Sequence, residues 1–141
     1  MKKRTEQLMQ MLEKNESIAE FIADNSAEFS KKTLCECLDW LNSKYNVKKS
    51  DVIKSSGLDQ IYAYQIFAGS KNPSRDKLVA LMFGYSLSVS DGNMLLNCAG
   101  LSPLYPRSKR DAIIIFGLNN KLSINEIDDL LFELNQETIS K

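Results

Sequence analysis

Helix spacing, few breakers and repeated capping residues together mark an all-α protein. Apolar residues recur at intervals of three and four rather than two, and only 3 prolines and 6 glycines interrupt 141 residues. Ser, Thr or Asp also stands before several of the apolar-periodic runs, where a helix start needs an acceptor for its free N–H groups. With 43% apolar, 26% charged and 9% aromatic residues, the chain has room for one core or two small ones, which excludes fibrous, collagenous and fully disordered classes.

The first helix is expected through about residue 14, with Leu8, Met11 and Leu12 on one stripe. A short one follows from about Ser17, carrying Ile18, Phe21 and Ile22. Ser30 or Thr33 then caps a helix whose buried stripe is Leu34, Cys37, Leu38 and Leu41, with Trp40 beside it as core filler, fading near Asn46. Ser50 leads into Asp51-Val52-Ile53-Lys54, a run that stops at Gly57, a residue able to take the left-handed backbone that ends a helix. Asp59 caps the next short helix, which runs to Ala68 and stops at Gly69. On it Ala63, Ile66 and Phe67 share an inner face, while Ile61, Tyr64, Gln65 and Ala68 share the outer one. Two short helices joined by a glycine turn have helix-turn-helix spacing.

The C-terminal half repeats itself at a shift of 35 residues. Arg75-Asp76 aligns with Arg110-Asp111, Leu78-Val79 with Ile113-Ile114, and LSVSDGNMLL (Leu87 to Leu96) with LSINEIDDLL (Leu122 to Leu131). Each copy predicts a helical hairpin whose second helix opens on a capping-box pattern, Ser88 with Asp91 and Ser123 with Glu126. Between the copies, Leu101 to Asp111 predicts a loop in which Ser108 and Asp111 form a further capping box, and this accounts for Arg107, Lys109 and Arg110 without a ligand. The expected domains are a helical extension over 1–30, a helix-turn-helix domain over 31–100 and a helical hairpin over 101–141.

Histidine is absent, which removes the commonest general base, the imidazole of Ser-His and Cys-His nucleophile systems, and most zinc sites. Cys35 and Cys37, two apart on a helix, point about 200° away from each other. An enzyme, a cofactor and a metal site are therefore not expected. The three cysteines, Cys35, Cys37 and Cys98, read as reduced thiols, two of them in the core. Met1-Lys2-Lys3-Arg4 leads into polar residues rather than a signal core, and apolar runs such as Ile113 to Phe116 are too short to span a bilayer. A cytoplasmic protein without a membrane partner is expected. Formal net charge is zero, yet residues 44–77 carry 7 basic and 3 acidic side chains between two weakly anionic flanks, the local balance of a phosphate-binding element.

From Lys49 to Ser74 the text KSDVIKSSGLDQIYAYQIFAGSKNPS resembles the Cro-like and lambda-repressor-like (XRE) regulators. The likeness rests on Val52, Ile53, Gly57, Leu58 and Ile66, and on GSKNPS (Gly69 to Ser74), which is similar to that family's connector to the next helix. It covers about Leu34 to Leu96. Stretches such as YAYQIF, NPSRDKL and LYPRSKRDAIIIF look like a small bacterial subgroup with an extra C-terminal helical region. The resemblance implies a lambda-repressor-like helix-turn-helix domain and a sequence-specific, DNA-binding transcriptional regulator.

Under that expectation the helix from Asp59 to Ala68 enters the major groove of double-stranded DNA. Gln60 and Gln65 have the amide geometry to bind adenine, and Ile61 meets a thymine methyl. Lys48, Lys49 and Lys54 on one side, and Lys71, Arg75 and Lys77 on the other, hold phosphates, with the Tyr64 hydroxyl as a further donor. A twofold homodimer is expected, built by the C-terminal hairpins or the N-terminal helices. The alternative is a protein-interaction module, an antitoxin or sensory adaptor, that presents Ile61, Tyr62, Tyr64 and Phe67 to a protein partner. Aromatic enrichment together with zero net charge favours it, whereas the clustered lysines and the connector motif favour DNA.

Overall fold

The computed structural model describes residues 5–14, 18 and 33–140, and the secondary structure they form is helical throughout. Contacts divide the chain into two compact units, Met1–Lys32 and Thr33–Lys141. The boundary expected near residue 100 thus falls inside the second unit. Of the first unit, helix α1 spans Thr5–Lys14 and Ile18 is helical and exposed. The side chains of Leu8, Met11 and Leu12, together with Phe21, Ile22 and Ser30, lie outside the described residues.

The second unit contains α2 (Leu34–Lys44), α3 (Lys49–Ser56), α4 (Gln60–Ala68), α5 (Arg75–Tyr85), α6 (Val89–Cys98), α7 (Lys109–Asn119) and α8 (Ile124–Glu133). Thr33 caps α2 in a reciprocal capping box with Glu36. The stripe Cys37, Leu38 and Leu41 is buried. Trp40 corrects the expectation of a core residue: it is 37% exposed, and the Lys44 ammonium sits 4.9 Å above its ring. Cys37 alone of the three cysteines is fully buried; Cys35 and Cys98 are half-buried, and all three are free thiols.

Helix α3 lies along α5, and Gly84 sets the approach. A Cβ on Gly84 would stand 2.6 Å from the Val52 carbonyl oxygen, a separation real atoms do not tolerate. Helix α2 packs on α6 and is pinned there by Asp91, which accepts from Lys44 Nζ at 2.8 Å and from the Tyr45 hydroxyl at 2.7 Å.

The two hairpins α5/α6 and α7/α8 carry matching contacts at the 35-residue shift. Arg75 donates to Asp111 and to the carbonyls of Ser102 and Pro103; Arg110 donates to Asp76 and to those of Glu137 and Thr138. The Leu104 amide donates to Asn93, and the Ile139 amide donates to Asp128. Because each arginine grips the other copy's aspartate, and α5 packs on α8 as α7 packs on α6, the hairpins are related by an approximate twofold axis.

The helix caps of the repeat are only partly as expected. Ser123 and Glu126 form the full capping box. Ser88 and Ser108 accept from the Asp91 and Asp111 amides, but neither aspartate reaches back. Their shorter carboxylates are drawn to Lys44 and Tyr45, and to Arg75 and the Tyr105 amide.

Candidate nucleic-acid interface

The surface formed by α3, the turn after it and α4 is where the sequence places most of its candidate residues. Three local devices shape it. Gly57 ends α3 at φ +74°, a left-handed backbone that costs glycine no side-chain clash. The buried Ser56 hydroxyl donates to the Ile53 carbonyl at 2.7 Å and accepts from the Leu58 amide at 3.2 Å, so both backbone groups at the turn are satisfied. The Asp59 carboxylate then caps α4 by accepting from the Tyr62 amide at 3.0 Å.

Anchoring of α4 follows its inner face. Ala63, Ile66 and Phe67 are buried in the common core, which fixes the roll of the helix and directs Gln60, Ile61, Tyr64 and Ala68 outward, with Gln65 half-buried beside them. Ile61 is 72% exposed, an unusual position for a β-branched side chain inside a nine-residue helix. No residue of α4 carries a charge.

Between α3 and α4 lies a shallow groove of about 360 Å³ lined by Ser50, Ile53, Lys54, Gly57, Leu58, Gln60 and Tyr64. It brings Lys54, Gln60 and Tyr64 together from two helices. Ser50, expected only as the residue leading into α3, lies inside it and joins them; its spacing of four from Lys54, one helical turn, is the signal that marks it.

The remaining cations divide. Lys48, Lys49 and Lys71 are exposed, Lys48 at the N-cap of α3 and Lys71 in the connector after Gly69. Lys49 Nζ lies 5.8 Å from the centre of the Phe67 ring, and Lys77 Nζ lies 5.9 Å from that of Tyr62. Arg75 is placed differently from a phosphate contact. Its guanidinium is committed to Asp111, at 2.9 and 2.8 Å, and to two loop carbonyls. Hydrogen bonding to Asp111 outweighs partial burial and raises its pKa further.

The aromatic cluster expected for a protein partner is smaller than its sequence. Phe67 is 2% exposed and Tyr62 half-buried, which leaves Ile61 and Tyr64 as the accessible members. Among the described residues no group of three or more Cys, Asp or Glu is placed to hold a metal ion, and no helix is long and apolar enough to cross a membrane. Set against family models, curated proteins and solved structures, the chain matches none.

Proposed function

We propose that α3 and α4 form a lambda-repressor-like helix-turn-helix and that the protein is a sequence-specific DNA-binding regulator, acting in the cytoplasm by binding rather than catalysis. The observation that carries this reading is the division of α4. Its inner face is sunk in the core, while Gln60, Ile61 and Tyr64 line an outward face, with the half-buried Gln65 at its edge, beside the exposed Lys48, Lys49, Lys54 and Lys71. Amides suited to adenine edges stand on the helix, and point charges suited to phosphates stand around it. The resemblance of Lys49 to Ser74 to the XRE regulators supports the same assignment.

Of the six cations read from the sequence, Arg75 leaves the set, because detaching it from Asp111 would strand a 7% exposed carboxylate. Lys54 and Tyr64 flank Gln60 in the α3/α4 groove, so base and phosphate contacts would be made from one continuous surface.

Selection of bound fragments from random duplex DNA at moderate salt tests the proposal. Recovery of a defined sequence whose binding weakens steeply with salt is expected. A pool that stays random after selection, with an affinity flat across salt, overturns it. A second reading, a protein-interaction module, draws on the 72% exposure of Ile61 and the absence of charge on α4. It predicts that Tyr64→Ala abolishes capture of a protein partner with little salt sensitivity.

A further inference from the structure

Among the described residues, the hairpin α7/α8 presents an open apolar groove of about 450 Å³. It is lined by Lys109, Ala112, Ile113, Phe116, Leu130 and Leu134, and Phe116 and Leu134 are 53% and 46% exposed. The internal repeat tells what such a face is for. Shifted by 35, Phe116 and Leu130 become Leu81 and Leu95, both fully buried.

In the first hairpin that face is covered by helices. Gly84, one turn beyond Leu81, meets α3, and Asp91, one turn before Leu95, is held by Lys44 and Tyr45 at the end of α2. The corresponding positions on the second hairpin are Asn119 and Glu126, both exposed. Among the described residues, a surface that is covered by two helices in one copy is thus left exposed in the other, with Phe116 in place of the smaller Leu81.

The charges at its edges select the occupant. Lys109 opens α7 on one edge, and Glu126 and Glu133 flank Leu130 on the other, all exposed. Laid against itself about a twofold axis, the groove sets the basic edge of each copy on the acidic edge of the other and covers Phe116 with apolar surface. We infer that the α7/α8 groove is the docking surface for a second copy of this chain, α7 of each protomer lying on α8 of its partner. This assignment does not depend on DNA binding.

Sedimentation of the full chain at about 10 µM tests it, a range in which an interface with a buried aromatic anchor stays closed. The wild type is expected at twice the 16.0 kDa of one chain. Phe116→Glu should raise the dissociation constant by roughly a hundredfold or more while the helical circular dichroism and melting temperature stay near wild type. Two exposed charge variants guard against misfolding: Lys109→Glu and Glu133→Lys each sediment as monomers, and their mixture forms a heterodimer because both edge contacts are then opposite in sign. A monomeric wild type, a dimer that persists in folded Phe116→Glu, or charge variants that fail to pair on mixing would each overturn the assignment.

Discussion

Arg75 and Asp111 are joined by two parallel hydrogen bonds of 2.9 and 2.8 Å, and 35 residues along the chain Arg110 returns the contact to Asp76 at 2.8 Å. The reciprocity locks the N-termini of α5 and α7 together, each arginine also tying down the loop that follows its own hairpin. The planar fork matters here. A lysine supplies the charge but not the simultaneous reach to a carboxylate and two carbonyls.

Arg75→Ala should therefore destabilise the fold by about 2 kcal/mol or more, since it leaves Asp111 buried without its cation. Arg75→Lys should recover only part of the loss. Denaturant midpoints measure both. In DNA binding the variant should keep the wild-type salt slope, whereas Lys71→Ala should lower the log-log slope by about one unit. A lowered slope in Arg75→Ala would return that residue to the phosphate-contacting set.

Acid should weaken the protein through two carboxylates. Burial alone would push Asp91 and Asp111 up. The hydrogen bonds from Lys44 and Tyr45 to the first, and from Arg75 and the Tyr105 amide to the second, prevail and hold both below the ordinary aspartate value of 3.8. A carboxylate with a depressed folded pKa stabilises the fold fully above its unfolded pKa and loses that contribution as pH falls through the folded one. Stability should thus be flat on the acid side down to about pH 4 and decline below it. In the less stable Asp111→Asn, that decline should be shallower in denaturant titrations run at successive pH values.

At high pH the sign reverses. Burial raises the Tyr85 phenol above the ordinary tyrosine value of 10.0, with the neighbouring Cys37 and Asp39 pushing the same way, and its hydroxyl lies 2.6 Å from Asn42 Oδ1, to which it donates. A raised folded pKa means stability that is complete below pH 10 and lost as the unfolded phenol ionises. Tyr85→Phe should remove most of this alkaline slope while costing about 1 kcal/mol at neutral pH for the lost hydrogen bond.

Gly84 and Gly92 make a paired test of packing. Alanine is the better helix former by up to about 1 kcal/mol, yet at Gly84 its Cβ would meet the Val52 carbonyl oxygen at 2.6 Å, which yields only if α3 moves. Gly84→Ala should be destabilising by about 2 kcal/mol. At Gly92 the obstacle is the flexible end of Met82, at 2.5 Å. Gly92→Ala should be near neutral. Thermal melts of the two variants decide it, and equal costs would refute the argument.

Gln65 tests the placement of α4. If the helix lies in the major groove, Gln65→Ala should relax preference at one base position, costing roughly 1 to 3 kcal/mol against the best site. Non-specific affinity and its salt slope should stay unchanged. A variant with wild-type preference throughout the site would move the reading toward a protein partner.

The repeat also exchanges sizes across its two copies. Met82 packs on Gly92 in the first hairpin, and the equivalent positions hold Gly117 against Ile127 in the second. The large residue changes sides while the space is conserved. Such compensation is invisible to a comparison of matching positions, because each position by itself looks like a mismatch.

What the sequence determined by itself is what local chemistry controls. Thr33, Asp59, Ser88, Ser108 and Ser123 mark helix starts because a cap bonds an amide two or three residues away, and Gly57 and Gly69 mark ends because their backbones turn left-handed. The two faces of α4 are equally legible, since helical periodicity alone separates Ala63, Ile66 and Phe67 from Ile61 and Tyr64. Tertiary structure alone decided the fate of charges and of surplus apolar residues. Arg75 and Lys71 are both cations flanking one segment, and only the approach of α7 tells that the first is spent on Asp111. Likewise Leu81 and Phe116 hold one repeat position, and what buries the first and exposes the second is the packing of α2 and α3 on a single hairpin, a long-range contact that no local pattern encodes.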